Sequence, residues 1–95
     1  MLSFIGSEDF SRVVAARVKA RRLANNFSRK TLAERTGVSE ASIKRFETTG
    51  EIALVSLLKL AFALEALQEF DALFAPQAVV SIADITQKKR ARGRG

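Results

Sequence analysis

Apolar positions recur along this chain with the period of a helix, and the breaks between the periodic stretches are chemically distinct. Residues 8–23, EDFSRVVAARVKARRL, place Phe10, Val13, Val14, Val18 and Leu23 at helical spacing and predict an amphipathic helix. Glu8 and Asp9 suit its positive N-terminal end, and Ser7 is the expected N-cap. Asn25 and Asn26 interrupt the pattern. Ser28 can cap a second helix over residues 29–36, and Gly37 supplies the left-handed residue that ends it. Ser39 can cap a third over residues 40–48, with Gly50 in the loop that follows. A fourth, over residues 54–66, is apolar on more than one side through Leu54, Leu57, Leu58, Leu60, Ala61 and Leu64. Such a helix is usually buried on two sides, and in so small a chain one side is available to a second subunit. Residues 68–73 fit a short fifth helix whose apolar side is Phe70, Leu73 and Phe74, before Pro76 ends the helical region. The pattern predicts an all-α architecture: five helices in residues 1–76, then an extension over residues 77–95. In the extension, Val79 and Val80 make a short β-branched run, and Ser81 can cap one more turn carrying Ile82 and Ile85. Residues 87–95, QKKRARGRG, have the composition of a disordered basic tail.

Within this frame the stretch 29–48, RKTLAERTGVSEASIKRFET, carries the most information. It joins two short helices through a glycine. Leu32 and Ala33 lie in the first, Gly37 and Val38 at the turn, Ile43 and Phe46 in the second, where crossing helices must touch. A helix-turn-helix needs that arrangement and sets its second helix in the DNA major groove.

Charge agrees with a polyanion partner once its distribution is considered. The chain has 95 residues and a net charge of +6. Residues 1–47 carry ten Lys/Arg against five Asp/Glu, residues 48–87 one lysine against five acids, and residues 88–95 five basic residues and no acid. The basic side therefore belongs to the helix-turn-helix half and to the tail, with an acidic part between them. Such asymmetry fits binding of a polyanion at one end of a domain, or simply a polarised solvated surface. The absence of cysteine excludes a disulfide scaffold, a thiolate zinc site and a cysteine nucleophile. The absence of histidine removes the commonest general base and metal ligand. Neither an enzyme, nor a metal, nor a cofactor is expected. No apolar run approaches the ~20 residues of a membrane span, the start does not read as a signal peptide, and a cytoplasmic location is the default expectation.

Residues 10–74 resemble the Cro/repressor-type helix-turn-helix family, also called the XRE family. The resemblance rests on Leu32-Ala33, Gly37-Val38-Ser39, Ile43, Phe46-Glu47 and the run LLKLAFAL over residues 57–64, all in register. Three positions depart from the pattern: Thr36 replaces an aliphatic residue, Ala53 a Ser/Thr cap, and Glu65 a glycine. The resemblance implies a five-helix lambda-repressor-like DNA-binding domain. It places Ser28 and Arg29 where the family grips a phosphate, at a helix N-terminus with free N–H groups. It makes Ser39, Glu40, Ala41, Lys44 and Arg45 the exposed positions of the recognition helix. Lys44 is the candidate for a guanine O6/N7 contact, Glu40 for a cytosine N4 and Ala41 for a thymine methyl. Glu40 has an alternative role as a charge partner of its own helix N-terminus. Arg45, Lys30 and Thr48 are expected on phosphates. The resemblance also pairs Arg22 with Glu47 as a buried structural ion pair, with Arg22 on phosphate as the alternative.

Phe62, Leu67, Phe70 and Phe74 are the candidate dimer interface. Two-fold symmetry would set two recognition helices ~34 Å apart and demand a palindromic operator in double-stranded DNA. The expected function is a sequence-specific, dimeric transcriptional repressor. Small size, the MLSF…DF leader ahead of the first helix and the apolar-then-basic extension resemble a HipB-type antitoxin, which represses its own operon and binds a HipA-like kinase toxin. A phage or plasmid repressor with no toxin partner, and a protein-interaction module on a helix-turn-helix scaffold, are the alternatives. The basic tail either adds salt-dependent DNA affinity or only solubilises the terminus. Residues 78–86 could pack on their own domain, pair across a dimer or dock into a partner.

Overall fold

A computed structural model describes residues 6–77. They form four α-helices and a single turn of 3-10 helix: α1 (Ser7–Ala24), α2 (Arg29–Thr36), α3 (Glu40–Thr49), α4 (Leu54–Ala63) and the 3-10 turn Leu67–Phe70. No strand occurs among the described residues, so this part of the chain is all-α. The expectations for the β-branched run, the extra turn and the basic tail lie outside the described residues.

The helix ends follow local chemistry. Ser28 caps α2 by accepting the Thr31 N–H at 3.0 Å, and Ser39 caps α3 by accepting the Ser42 N–H at 3.0 Å. Gly37 and Gly50 close these helices in the left-handed region, at φ +81° and +85°. At α1 the expected cap is displaced. Gly6 holds the extended cap position, Ser7 is already helical, and no side chain closes the end. The Gly6 carbonyl instead accepts the Phe10 N–H at 2.9 Å.

Two helices stop with a side-chain-bearing residue at positive φ. α1 ends where Asn26 adopts φ +60°, with Asn26 N–H on the Leu23 carbonyl and Phe27 N–H on the Arg22 carbonyl. α4 ends the same way at Glu65, φ +58°, with Glu65 N–H on the Phe62 carbonyl and Ala66 N–H on the Ala61 carbonyl. This is the Schellman pattern of crossed bonds that satisfies the last carbonyls. It stops α4 at Ala63, three residues short of the predicted end. The predicted fifth helix over 68–73 shrinks to the 3-10 turn, followed by a turn over 71–74.

The core is built from Ala15 of α1, Leu32 of α2, Val38 in the turn, Ile43 and Phe46 of α3, and Leu60 and Leu64 at the far side. Val14, Val18, Phe27, Ala33, Ile52, Leu57 and Ala63 pack around them. The periodicity misplaced two α1 residues: Leu23 is 54% exposed and Phe10 38%. The buried line of α1 runs instead through Ala15 to Arg22, because this face must meet α3 closely. The closeness is sharpest at Gly50, where an added Cβ would lie 2.7 Å from Ser11 Oγ and 3.0 Å from the Ser11 carbonyl carbon. The departure at Thr36 is also accommodated. Its hydroxyl donates to the Leu32 carbonyl at 2.8 Å and accepts the Val38 N–H at 3.1 Å, tying the turn where an aliphatic side chain would only pack.

Candidate nucleic-acid interface

α3 divides sharply by face. Ile43 and Phe46 are 1% and 2% exposed, while Ser39, Glu40, Ala41, Lys44, Arg45 and Thr48 are exposed. Glu40, Ala41 and Lys44 share one side by their i, i+1, i+4 spacing, and the capping Ser39 stands at its start. Glu40 lies in the first turn of α3, where a carboxylate also complements the helix dipole. The side therefore offers an acid, a methyl and an ammonium in a row, unlike in hydrogen-bonding character and open to solvent.

The basic residues around α3 are held to different degrees. Lys30 and Lys44 are exposed. Arg45 pairs with Glu51 at 2.5 Å across an open surface, both side chains about two-thirds exposed. Thr48 turns its hydroxyl back onto the Lys44 carbonyl at 2.8 Å, so a phosphate contact by that hydroxyl requires it to turn away. Ser28 has its Oγ committed to capping, donating to Thr31 Oγ1 at 3.0 Å besides accepting the backbone N–H. What it brings toward an anion is the free N–H groups of the first turn behind it.

Arg29, at the first position of α2, is also held by an acid. Its Nε donates to Glu47 Oε1 at 2.9 Å. Arg22 donates to the same carboxylate with Nε on Oε2 at 2.7 Å and Nη2 on Oε1 at 3.1 Å, and its Nη1 donates to the Phe27 carbonyl at 2.9 Å. The Arg22 and Glu47 side chains are 6% and 2% exposed, that of Arg29 33%. Burial pushes the Glu47 carboxyl up, but hydrogen bonds and charge from Arg22 and Arg29 outweigh it and hold the group below the ordinary carboxylate range. The cluster joins the ends of α1 and α3 to the start of α2. Nothing in the local sequence signals Arg29 as a third member, because only the fold brings positions 29 and 47 together.

Two further contacts brace the frame. Arg21 forms a two-bond pair with Glu69 at 2.7 and 3.1 Å, tying α1 to the 3-10 turn on the surface. The Arg35 guanidinium lies 4.6 Å from the centre of the Phe27 ring, joining the end of α2 to the α1–α2 turn.

Of the expected dimer residues, Phe62, Leu67 and Phe70 line adjoining surface hollows that share Leu67. Phe62 and Leu67 line a shallow apolar hollow with Val55 and Leu58, rimmed by Arg35 and Lys59. Phe70 is half-buried and also lines a groove between α1 and α4, with Val14, Val18 and Leu57 among its neighbours. Phe74, at φ +57°, is 99% exposed.

No helix among the described residues is long and apolar enough to cross a membrane, and no His, Cys, Asp or Glu cluster suited to a metal ion occurs among them. A search of curated proteins gives no match. The helix-turn-helix family pattern matches residues 18–67, from the later turns of α1 to the start of the 3-10 turn and just over half of the chain. That fold suggests a transcriptional regulator whose partner is DNA. Two capped helices about a left-handed glycine, the second of them buried on one face and open on the other, and this match together mean that the chain belongs to the helix-turn-helix family.

Proposed function

We propose that this protein is a sequence-specific transcriptional repressor that binds double-stranded DNA as a homodimer. The observation that carries the reading is the open side of α3. Lys44 can donate to guanine O6 and N7, Glu40 can accept from a cytosine N4, and Ala41 can meet a thymine methyl. Lys30, Arg45 and the α2 N-terminus at Ser28 and Arg29 flank that side and serve phosphates, with Ser39 and Thr48 at its margins. The Arg45–Glu51 pair does not oppose this role, because an exposed ion pair contributes little and exchanges its carboxylate for a phosphate at small cost.

Dimerisation is supported by the apolar hollow on the outer side of α4. Val55, Phe62 and Leu67 are 61%, 72% and 40% exposed, and contiguous exposed apolar side chains on a small domain mark an interaction surface. Phe70 borders a neighbouring hollow with Leu58, Leu67 and Asp71. A two-fold axis through this region would use the same patch on both copies.

Within the class, the chain reads as a HipB-type antitoxin that represses its own operon and binds a HipA-like kinase toxin. The apolar-then-basic extension after Pro76 supports this, since DNA binding alone leaves its apolar residues without a role. Selection from a pool of random duplexes tests the repressor reading. The expected product is an inverted repeat with half-site centres about 34 Å apart. Failure to retain any duplex at low salt overturns it in favour of a protein-interaction module. Co-purification from the native host tests the antitoxin assignment: a kinase partner supports it, and its absence leaves a phage- or plasmid-type repressor.

A further inference from the structure

The Arg22–Glu47–Arg29 cluster holds one more positive charge than its geometry needs. Arg22 alone satisfies Glu47 with two parallel bonds, and its remaining Nη1 is taken by the Phe27 carbonyl. Each of the three Arg22 guanidinium nitrogens is thus engaged, and the residue is buried. Arg29 adds a second guanidinium to a carboxylate that is already paired. It does so through Nε only, with a third of its side chain open to solvent at the first residue of α2. Two guanidiniums on one carboxylate leave a surplus of one positive charge, located at the partner that reaches the surface.

We infer that Glu47 is a positioning residue, which anchors Arg29 by Nε so that its two Nη groups are presented, in a fixed orientation, to a DNA phosphate. The inference rests on the DNA-binding reading and deepens it. A guanidinium is planar and carries five donors. An acceptor on Nε leaves the edge formed by Nη1 and Nη2 free, and that edge matches two phosphate oxygens. A long arginine ordinarily loses rotamer freedom when it binds; here the carboxylate has already restricted it, so less is lost on DNA. The same carboxylate sits at the end of the recognition helix. One buried group therefore fixes the phosphate grip of α2 relative to the base-reading side of α3. A lysine carries the same charge but has no second edge, so it cannot hold Glu47 and a phosphate together in this geometry.

The test measures binding of a generic 20-base-pair duplex by fluorescence anisotropy across a sodium chloride series, with urea unfolding of each variant. Arg29→Gln is expected to weaken binding about tenfold or more and to reduce the log–log salt slope by about 0.9, the value of one phosphate contact. Arg29→Lys is expected to keep the wild-type slope while binding more weakly. Combining Arg29→Gln with Glu47→Gln is expected to cost less than the two changes separately, because they break one device. An unchanged slope for Arg29→Gln, with only a lower urea midpoint, overturns the inference and leaves Arg29 structural. So does Arg29→Lys binding as tightly as wild type, which needs no folding of a Glu47 variant. Absence of salt-dependent binding by the wild-type protein is a different result, and overturns the DNA reading on which the inference rests.

Discussion

Substituting Gly50 by alanine separates two effects that are usually confounded, and the other helix-ending glycine is the control. Gly37 and Gly50 have nearly the same backbone, φ +81° and +85°. For either, alanine incurs about 1–2 kcal/mol for a side chain in the left-handed region, partly offset by about 0.4–1 kcal/mol from a less flexible unfolded chain. Their surroundings differ. A Cβ at Gly37 meets nothing within 4 Å, whereas at Gly50 it lies 2.7 Å from Ser11 Oγ, 3.0 Å from the Ser11 carbonyl carbon and 3.1 Å from Arg12 N. The hydroxyl can rotate away, but the backbone atoms can yield only if α1 moves off the α3–α4 loop, an overpacking cost of about 1–3 kcal/mol. Gly37→Ala is therefore expected to lose about 1 kcal/mol and Gly50→Ala about 2–4 kcal/mol. Urea unfolding followed by circular dichroism reads both as midpoint shifts at constant slope. Ser11→Ala in the Gly50→Ala background should recover little, since the backbone contacts remain. Equal losses at the two glycines, or full rescue by Ser11→Ala, would refute the claim that main-chain contact between α1 and the α3–α4 loop sets the requirement.

Arg22→Ala leaves Glu47 buried with only the single bond from Arg29 and should destabilise the domain by about 3–5 kcal/mol; a loss under about 1 kcal/mol by the same urea assay would show that water or Arg29 replaces it. Because Glu47 titrates below its ordinary value near 4.5 in the folded state, its contribution is present above that value and is lost as pH falls through the folded one. The stability gap between wild type and Glu47→Gln should therefore narrow on acidification, and a gap independent of pH would contradict the arrangement. Glu65→Gly relieves a left-handed glutamate at φ +58°, and should leave stability unchanged or raise it by up to about 1 kcal/mol, as measured by thermal unfolding.

Much of this fold is legible because its signals are local. Ser28, Ser39 and Gly37 act on backbone groups within four residues, so their identity and position suffice to place α2 and α3. Leu32, Ile43 and Phe46 stand out because an otherwise polar stretch places few large apolar residues, each where a helix crossing needs one. The errors arise where a distant or unfavourable choice prevails. Leu23 has the right spacing for burial, yet the α1 face toward α3 is taken by Ala15 and Arg22. α4 has every propensity to continue past Ala63, but Glu65 enters the left-handed region and the crossed bonds to Ala61 and Phe62 end it. In the candidate interface, the exposed side of α3 follows from periodicity. The engagement of Arg29 with Glu47 and of Arg45 with Glu51 does not, because each depends on how helices and loops are brought together in space.

On the proposed function, the open side of α3 reads base edges while its surroundings hold the DNA backbone. Repeating the random-duplex selection with Lys44→Ala tests it most directly, alongside binding to the wild-type consensus and to a scrambled duplex. The expected result is a preference relaxed at one position in each half-site, consensus binding weakened by about 1–3 kcal/mol, and scrambled-duplex binding reduced only by the loss of one charge. An unchanged consensus bound with unchanged affinity would contradict it, and would move sequence recognition away from this side of α3.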